Sequence, residues 1–80
     1  NTVQFAINTS TSTSFPTTFT AFGGGAHVPD GYRPTWAVVV PCKSNYSLFV
    51  AILTDGTVER KTTASSSQSA GIYCFAEWTI

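Results

Sequence analysis

The residues of this 80-residue chain best able to do chemistry are few: one histidine, His27, two cysteines, Cys42 and Cys74, and four carboxylates, Asp30, Asp55, Glu59 and Glu77. A hydrolytic triad would have to join His27 to an acid such as Asp30 and one of nine serines. No Gly-x-Ser-x-Gly turn that would present such a serine occurs, and His27 reads as a loop residue beside a turn. Glycosidic cleavage needs two carboxyl groups about 5–10 Å apart. Asp30 and Asp55 both precede glycine and are explained as turn residues. Glu59 sits beside Arg60 and Lys61 on a solvated strand. Glu77 alternates with Tyr73 and Phe75 and has no acidic partner by spacing. Calcium would require an oxygen-ligand cluster with several carboxylates, and two cysteines alone do not complete a structural zinc site. The expectation is therefore a chain that is not an enzyme, with no metal and no cofactor.

The cysteines lie 32 residues apart. They read as free thiols packing as small apolar side chains. A bridge is the alternative, if the fold brings their strands together.

What remains is a binding surface. Flat aromatics with hydrogen-bonding neighbours suit sugars, and Tyr32, Trp36, Tyr46, Tyr73 and Trp78 are the aromatics so placed, with His27, Asp30, Arg33 and Asn45 as polar partners. The competing reading for each aromatic is packing in the core or against another subunit, most of all for Trp36 and Trp78.

Composition narrows the partners. Four basic residues balance four acidic ones, and charged residues make up 10% of the chain against a usual share of about 25%. A basic footprint for nucleic acid is lacking, as is a polybasic face for anionic lipid. No apolar run approaches the roughly 20 residues that span a bilayer as a helix. Thirteen threonines and nine serines make the polar surface hydroxylated rather than ionic, and there are only two leucines and no methionine. Abundant β-branched residues favour strands. A near-zero net charge promotes self-association, so the chain is expected to form a homo-oligomer. It opens without Met and shows no signal peptide, which reads as a mature product or an excised terminal domain.

Period-two alternation supplies the elements. Thr2–Asn8 turns Val3, Phe5 and Ile7 to one side. Thr9–Ser14 is a polar loop or strand continuation. Phe15, Thr17, Phe19 and Ala21 then share a face, with Pro16 marking an edge strand or the start of a strand. Gly23, Gly24 and Gly25 form a turn or a close backbone approach, and Val28–Pro34 is a second turn, with Pro29 in its first central position. Thr35–Val40 reads as a strand ended by Pro41, placing Trp36 with Val38 and Val40. Tyr46–Thr54 is apolar on both faces, with Leu48, Val50 and Ile52 against Phe49, Ala51 and Leu53. Such a strand is expected to be covered twice, once by neighbouring copies. Asp55-Gly56 marks a hairpin that returns through Thr57–Thr62, and a Ser-rich loop fills Thr63–Gly71. A last strand runs from Ile72 to Ile80, where an apolar final residue is expected to pack into the body. No stretch shows helical periodicity. Six strands at roughly 10–15 residue spacing predict one all-β domain over residues 1–80, a small antiparallel barrel or sandwich.

The order Val28-Pro29-Asp30-Gly31-Tyr32-Arg33-Pro34, two strands, Asp55-Gly56-Thr57-Val58 and a terminal Trp78-Thr79-Ile80 resembles the C-terminal head of bacteriophage receptor-binding proteins and tail-fibre tips. The resemblance covers roughly residues 15–80. It implies a compact β head excised from a longer fibre or tail protein, assembled as a homotrimer at the virion's tail tip, that binds host cell-surface polysaccharide without cleaving it and does not insert into membrane. Some such heads set alternating polar residues on the strand before the hairpin. Here that stretch holds Phe49, Ala51 and Leu53, so a saccharide site falls to the loops, at Tyr32-Arg33 and Ser44-Asn45-Tyr46. Two other readings share the fold: a capping or trimerisation module without ligand, and a monomeric bacterial carbohydrate-binding module.

Overall fold

The computed structural model describes residues 1–9, 13–43 and 45–80. Among them are eight strands: β1 (Thr2–Asn8), β2 (Ser14–Phe15), β3 (Thr20–Ala21), β4 (Val38–Cys42), β5 (Asn45–Ile52), β6 (Val58–Thr62), β7 (Gln68–Ser69) and β8 (Tyr73–Thr79), with one 3-10 turn at Gly23–Gly25. The chain is all-β. Every strand pair is antiparallel, in sheets ordered β1-β8, β2-β7 and β3-β6-β5-β4, and none of these closes into a barrel.

Alternation explains the two long outer strands. β1 turns Val3, Phe5 and Ile7 inward, where they pair in register with Trp78, Ala76 and Cys74 of β8. The inner residues of β8 are buried while Tyr73, Phe75 and Glu77 stay exposed. These rows meet Leu48, Val50 and Ile52 of β5, Val58 of β6, Phe15 and Val28 in one core. Leu48, Val50 and Ile52 are shut off from water by the chain's own strands, and so is Ala51 on the opposite face. Only Phe49 and Leu53 remain half-buried. A single chain thus covers more of β5 than its two apolar faces had implied.

Proline accounts for two departures from the expected strands. The stretch from Phe15 to Ala21 divides into β2 and β3, because Pro16 has no N–H for a ladder. Its carbonyl instead accepts from Thr62 N at 2.8 Å. Arg60, expected near solvent, supplies the missing donors. Its Nε donates to Ser14 O at 2.6 Å and its Nη1 to the carbonyls of Thr20 and Ala21, at 3.2 and 2.5 Å. The guanidinium also lies 4.9 Å from the centre of the Phe22 ring, a cation–π distance. Pro41 does not end β4 but sits inside it, and the register shifts between Pro41 and Cys42, as bulges that accommodate proline do. The strand begins at Val38, which pairs with Ile52, the last residue of β5, leaving Trp36 outside it.

The Ser-rich loop also contains β7, which pairs with β2, so residues beyond Thr62 are partly ordered by Ser14 and Phe15. The reading of Thr9–Ser14 falls largely on residues 10–12, outside the described residues. Ile80 is 45% exposed rather than packed inside. Its backbone nevertheless pairs with Asn1, Ile80 N donating to Asn1 O at 2.8 Å.

The cysteines are joined, contrary to the expectation of free thiols. β4 lies beside β8, and Lys43 N donates to Tyr73 O at 3.0 Å. That seam sets Cys42 and Cys74 4.6 Å apart at Cα, both buried and bonded as a disulfide. The spacing matches the narrow pairs of an antiparallel ladder. Spacing along the chain cannot reveal this neighbourhood, since β4 and β8 are separated by three other strands in sequence.

Candidate functional site

The loop from Ala26 to Trp36 and the β5–β6 hairpin are pinned together at the hairpin end of β5. Leu53 and Thr57 close a three-residue loop, with Leu53 N donating to Thr57 O and Gly56 N to Leu53 O, both at 2.9 Å. Gly56 has φ +89°, the left-handed conformation that glycine adopts freely at this bulge. It is buried under the loop: Val28 N donates to Gly56 O at 2.8 Å, while Arg33 Nε donates to Val28 O at 3.0 Å. His27 bridges to Thr57. Its Nδ1 lies 2.7 Å from Gly25 O, so this nitrogen must carry the proton, because a carbonyl only accepts.

The next turn is hydrogen-bonded from Tyr32 N to Pro29 O at 3.2 Å. Asp30 and Gly31 are its central residues, Gly31 having φ +93°, so Pro29 stands one position earlier than the turn chemistry had suggested. Asp30 has a 96% exposed side chain, 4.0 Å from Arg33 Nη1. An ion pair that open contributes little. Trp78 Nε1 donates to Tyr32 O at 2.8 Å, anchoring the backbone and turning the Tyr32 ring outward.

The structure thus holds His27, Asp30, Tyr32 and Arg33 on one pinned loop, with Trp36 at the loop's last position. Tyr32 is 56% exposed and Trp36 81% exposed. Trp36 precedes β4 by two residues, and Val38 pairs with Ile52 next to the hairpin loop, which places Trp36 at this same end. Asn45 lies at the opposite end of β5, roughly 23 Å away at about 3.3 Å per residue. Its Oδ1 accepts from Ser47 N at 3.0 Å and lies 2.7 Å from Ser47 Oγ. Ser47 Oγ also approaches Gln68 Oε1, which accepts from Thr62 Oγ1. Asn45 therefore belongs to an internal polar network. Tyr46 follows it, with its side chain outside the description, and Ser44 lies outside the described residues. Trp78 is core and Tyr73 stands on the outer face of β8.

Asp55 is the residue that sequence reasoning treated as turn chemistry alone. Its Oδ1 accepts from Thr57 N at 2.9 Å. The Thr57 backbone and side chain together hold its carboxyl below the usual 3.8, with smaller contributions from His27 and Arg33. The Asp-Gly pair was the only sequence signal for it. A folded value below the unfolded one means that the stabilisation is complete above the ordinary carboxylate range and is lost as pH falls through the folded value. The Thr57 amide shift is therefore expected to titrate with a midpoint below pH 3.8; a midpoint at or above that value would contradict the bond.

No enclosed pocket and no group of three or more potential metal ligands is found among the described residues. The cluster is an open surface that can stack a flat ring face and exchange hydrogen bonds at its rim. No family model, curated protein or solved structure matches the chain.

Proposed function

We propose that the chain is a bacteriophage receptor-binding head that attaches the virion to saccharide on the host-cell surface, binding through Tyr32 and Trp36 with Arg33, Asp30, His27 and Asp55 at the rim. The supporting observation is the position of Trp36. An indole in water forgoes a burial worth roughly 1.5–3 kcal/mol or more for a large apolar side chain, and this one follows, four residues on, the exposed Tyr32 of the same loop. Flat pyranose faces stack on such rings, and hydroxyls pair with carboxylate and guanidinium groups. The resemblance of Val28–Pro34 and Asp55–Val58 to phage heads points the same way. Sites this open bind weakly one at a time, and several copies on one particle raise the avidity by orders of magnitude.

Trp36→Ala is expected to weaken binding to host-envelope polysaccharide at least tenfold, about 1.4 kcal/mol, with Tyr32→Ala close behind. Titration calorimetry on purified envelope glycan measures this, with far-ultraviolet dichroism confirming the fold. The lack of a pocket favours a second reading, a capping module without ligand. Unchanged host adsorption by both variants would select it.

A further inference from the structure

We infer that two copies of this chain join edge to edge through β1, in antiparallel register about Phe5, extending the β1–β8 sheet across a two-fold axis. The inference concerns how copies meet and does not rest on the saccharide reading. Asn1 and Ile80 exchange backbone bonds, and Thr9 N donates to Ile72 O. The β1–β8 register between them pairs Thr2 with Thr79 through Asn8 with Tyr73. Hydrogen-bonded and non-hydrogen-bonded pairs alternate along such a ladder. The odd residues Val3, Phe5 and Ile7 therefore bond to β8, and the even residues Thr2, Gln4, Ala6 and Asn8 aim N–H and C=O at the free edge. No strand among the described residues takes these groups.

Exposed edges are usually blunted by charge, proline or a bulge. β1 has no charged residue, no proline and no register shift. Its sequence is also self-complementary. Antiparallel pairing about Phe5 sets Gln4 against Ala6 and Thr2 against Asn8 as the hydrogen-bonded pairs. The same register sets Val3 against Ile7, and Phe5 against its own counterpart, on the core side. Those three apolar residues are only half-buried, although the β8 residues paired with them are buried, and the second strand would complete their cover. Charge agrees. Glu77 shares its row with Gln4, to which it is hydrogen-bonded at 3.0 Å. That row would continue through Ala6 and Phe75 of the second copy, and Lys43 Nζ lies 6.0 Å from the Phe75 ring centre. Opposite charges are thus the nearest ones along that row. The resulting interface is isologous and differs from the three-fold assembly that the resemblance implies.

The test is sedimentation and hydrogen exchange on the full chain over a wide concentration range. The expected mass is twice 8.5 kDa. Amides of Gln4 and Ala6 should gain protection as concentration rises, while those of Val3 and Phe5 stay protected throughout. Ala6→Pro removes an N–H that faces the free edge rather than β8, so it should leave a folded 8.5 kDa monomer. Gln4→Lys with Ala6→Lys sets lysines opposite each other across the axis and should do the same if proline disturbs the fold. A persistent monomer, a trimer, or a dimer surviving in a folded variant overturns the inference.

Discussion

Breaking the Cys42–Cys74 bridge is expected to remove about 3–4 kcal/mol of stability, the chain-entropy value for a closed loop of this length. The bond ties residues 32 apart across the seam between β4 and β8. Eleven aromatics notwithstanding, a domain this small buries only about 60–65% of its unfolded surface. A total stability near the low end of the usual range, about 5 kcal/mol, would then fall close to zero. Urea melts with and without reductant measure the loss, which at an m-value of about 1 kcal/mol/M moves the midpoint by roughly 3 M. Alkylation of the unreduced, unfolded chain should label no cysteine. Two labelled thiols, or a midpoint indifferent to reductant, would remove the bond from the account.

Gly56→Val is the second large effect. A side chain at φ +89° is strained by about 1–3 kcal/mol, and there is no room for it. Its Cβ would lie 2.6 Å from both Arg33 Nε and Val28 O. Those atoms hydrogen-bond each other, so making space breaks a bond to a charged donor worth about 1.5–3 kcal/mol. The sum, roughly 3–5 kcal/mol, corresponds to a thermal midpoint about 15–25 °C lower for a domain of this size. Gly23→Ala is the control, because its Cβ would meet nothing within 4 Å and its φ is not positive. It should shift the midpoint by a few degrees at most. Equal effects of the two would mean that the loop from Ala26 to Trp36 is not held down by Gly56. The same variant should also weaken saccharide binding beyond its effect on stability, since Arg33 and Tyr32 ride on that loop.

Local residue chemistry made much of the fold legible. Strict alternation marks β1 and β8, and Leu48, Val50 and Ile52 mark the core row of β5. Asp55-Gly56 marks the hairpin, although the loop proves to be three residues closed by a glycine bulge. Each of these signals involves neighbours along the chain. The splitting of Phe15–Ala21 was less readable, because the donors that make it tolerable come from Arg60, some 40 residues on. Trp36 was misplaced for a similar reason. Alternation extends β4 back to Thr35, but the pairing of Val38 with Ile52, the last residue of β5, sets where the strand starts.

The candidate site divides in the same way. His27, Asp30, Tyr32 and Arg33 lie within seven residues of one another, so chain proximity alone groups them. Residue type and the resemblance add Asn45 and Tyr46 as a second loop, and the length of β5 separates the two sets. By itself the sequence determined the all-β class, the main turns and the uncharged, hydroxyl-rich surface, because strand alternation and turn preferences act between adjacent residues. Only the tertiary structure decided that Cys42 meets Cys74, that Asp55 joins the loop of Tyr32, and that no strand among the described residues pairs with the second edge of β1. Those depend on which strands become neighbours, and that is settled by burial of one shared core rather than by any local pattern.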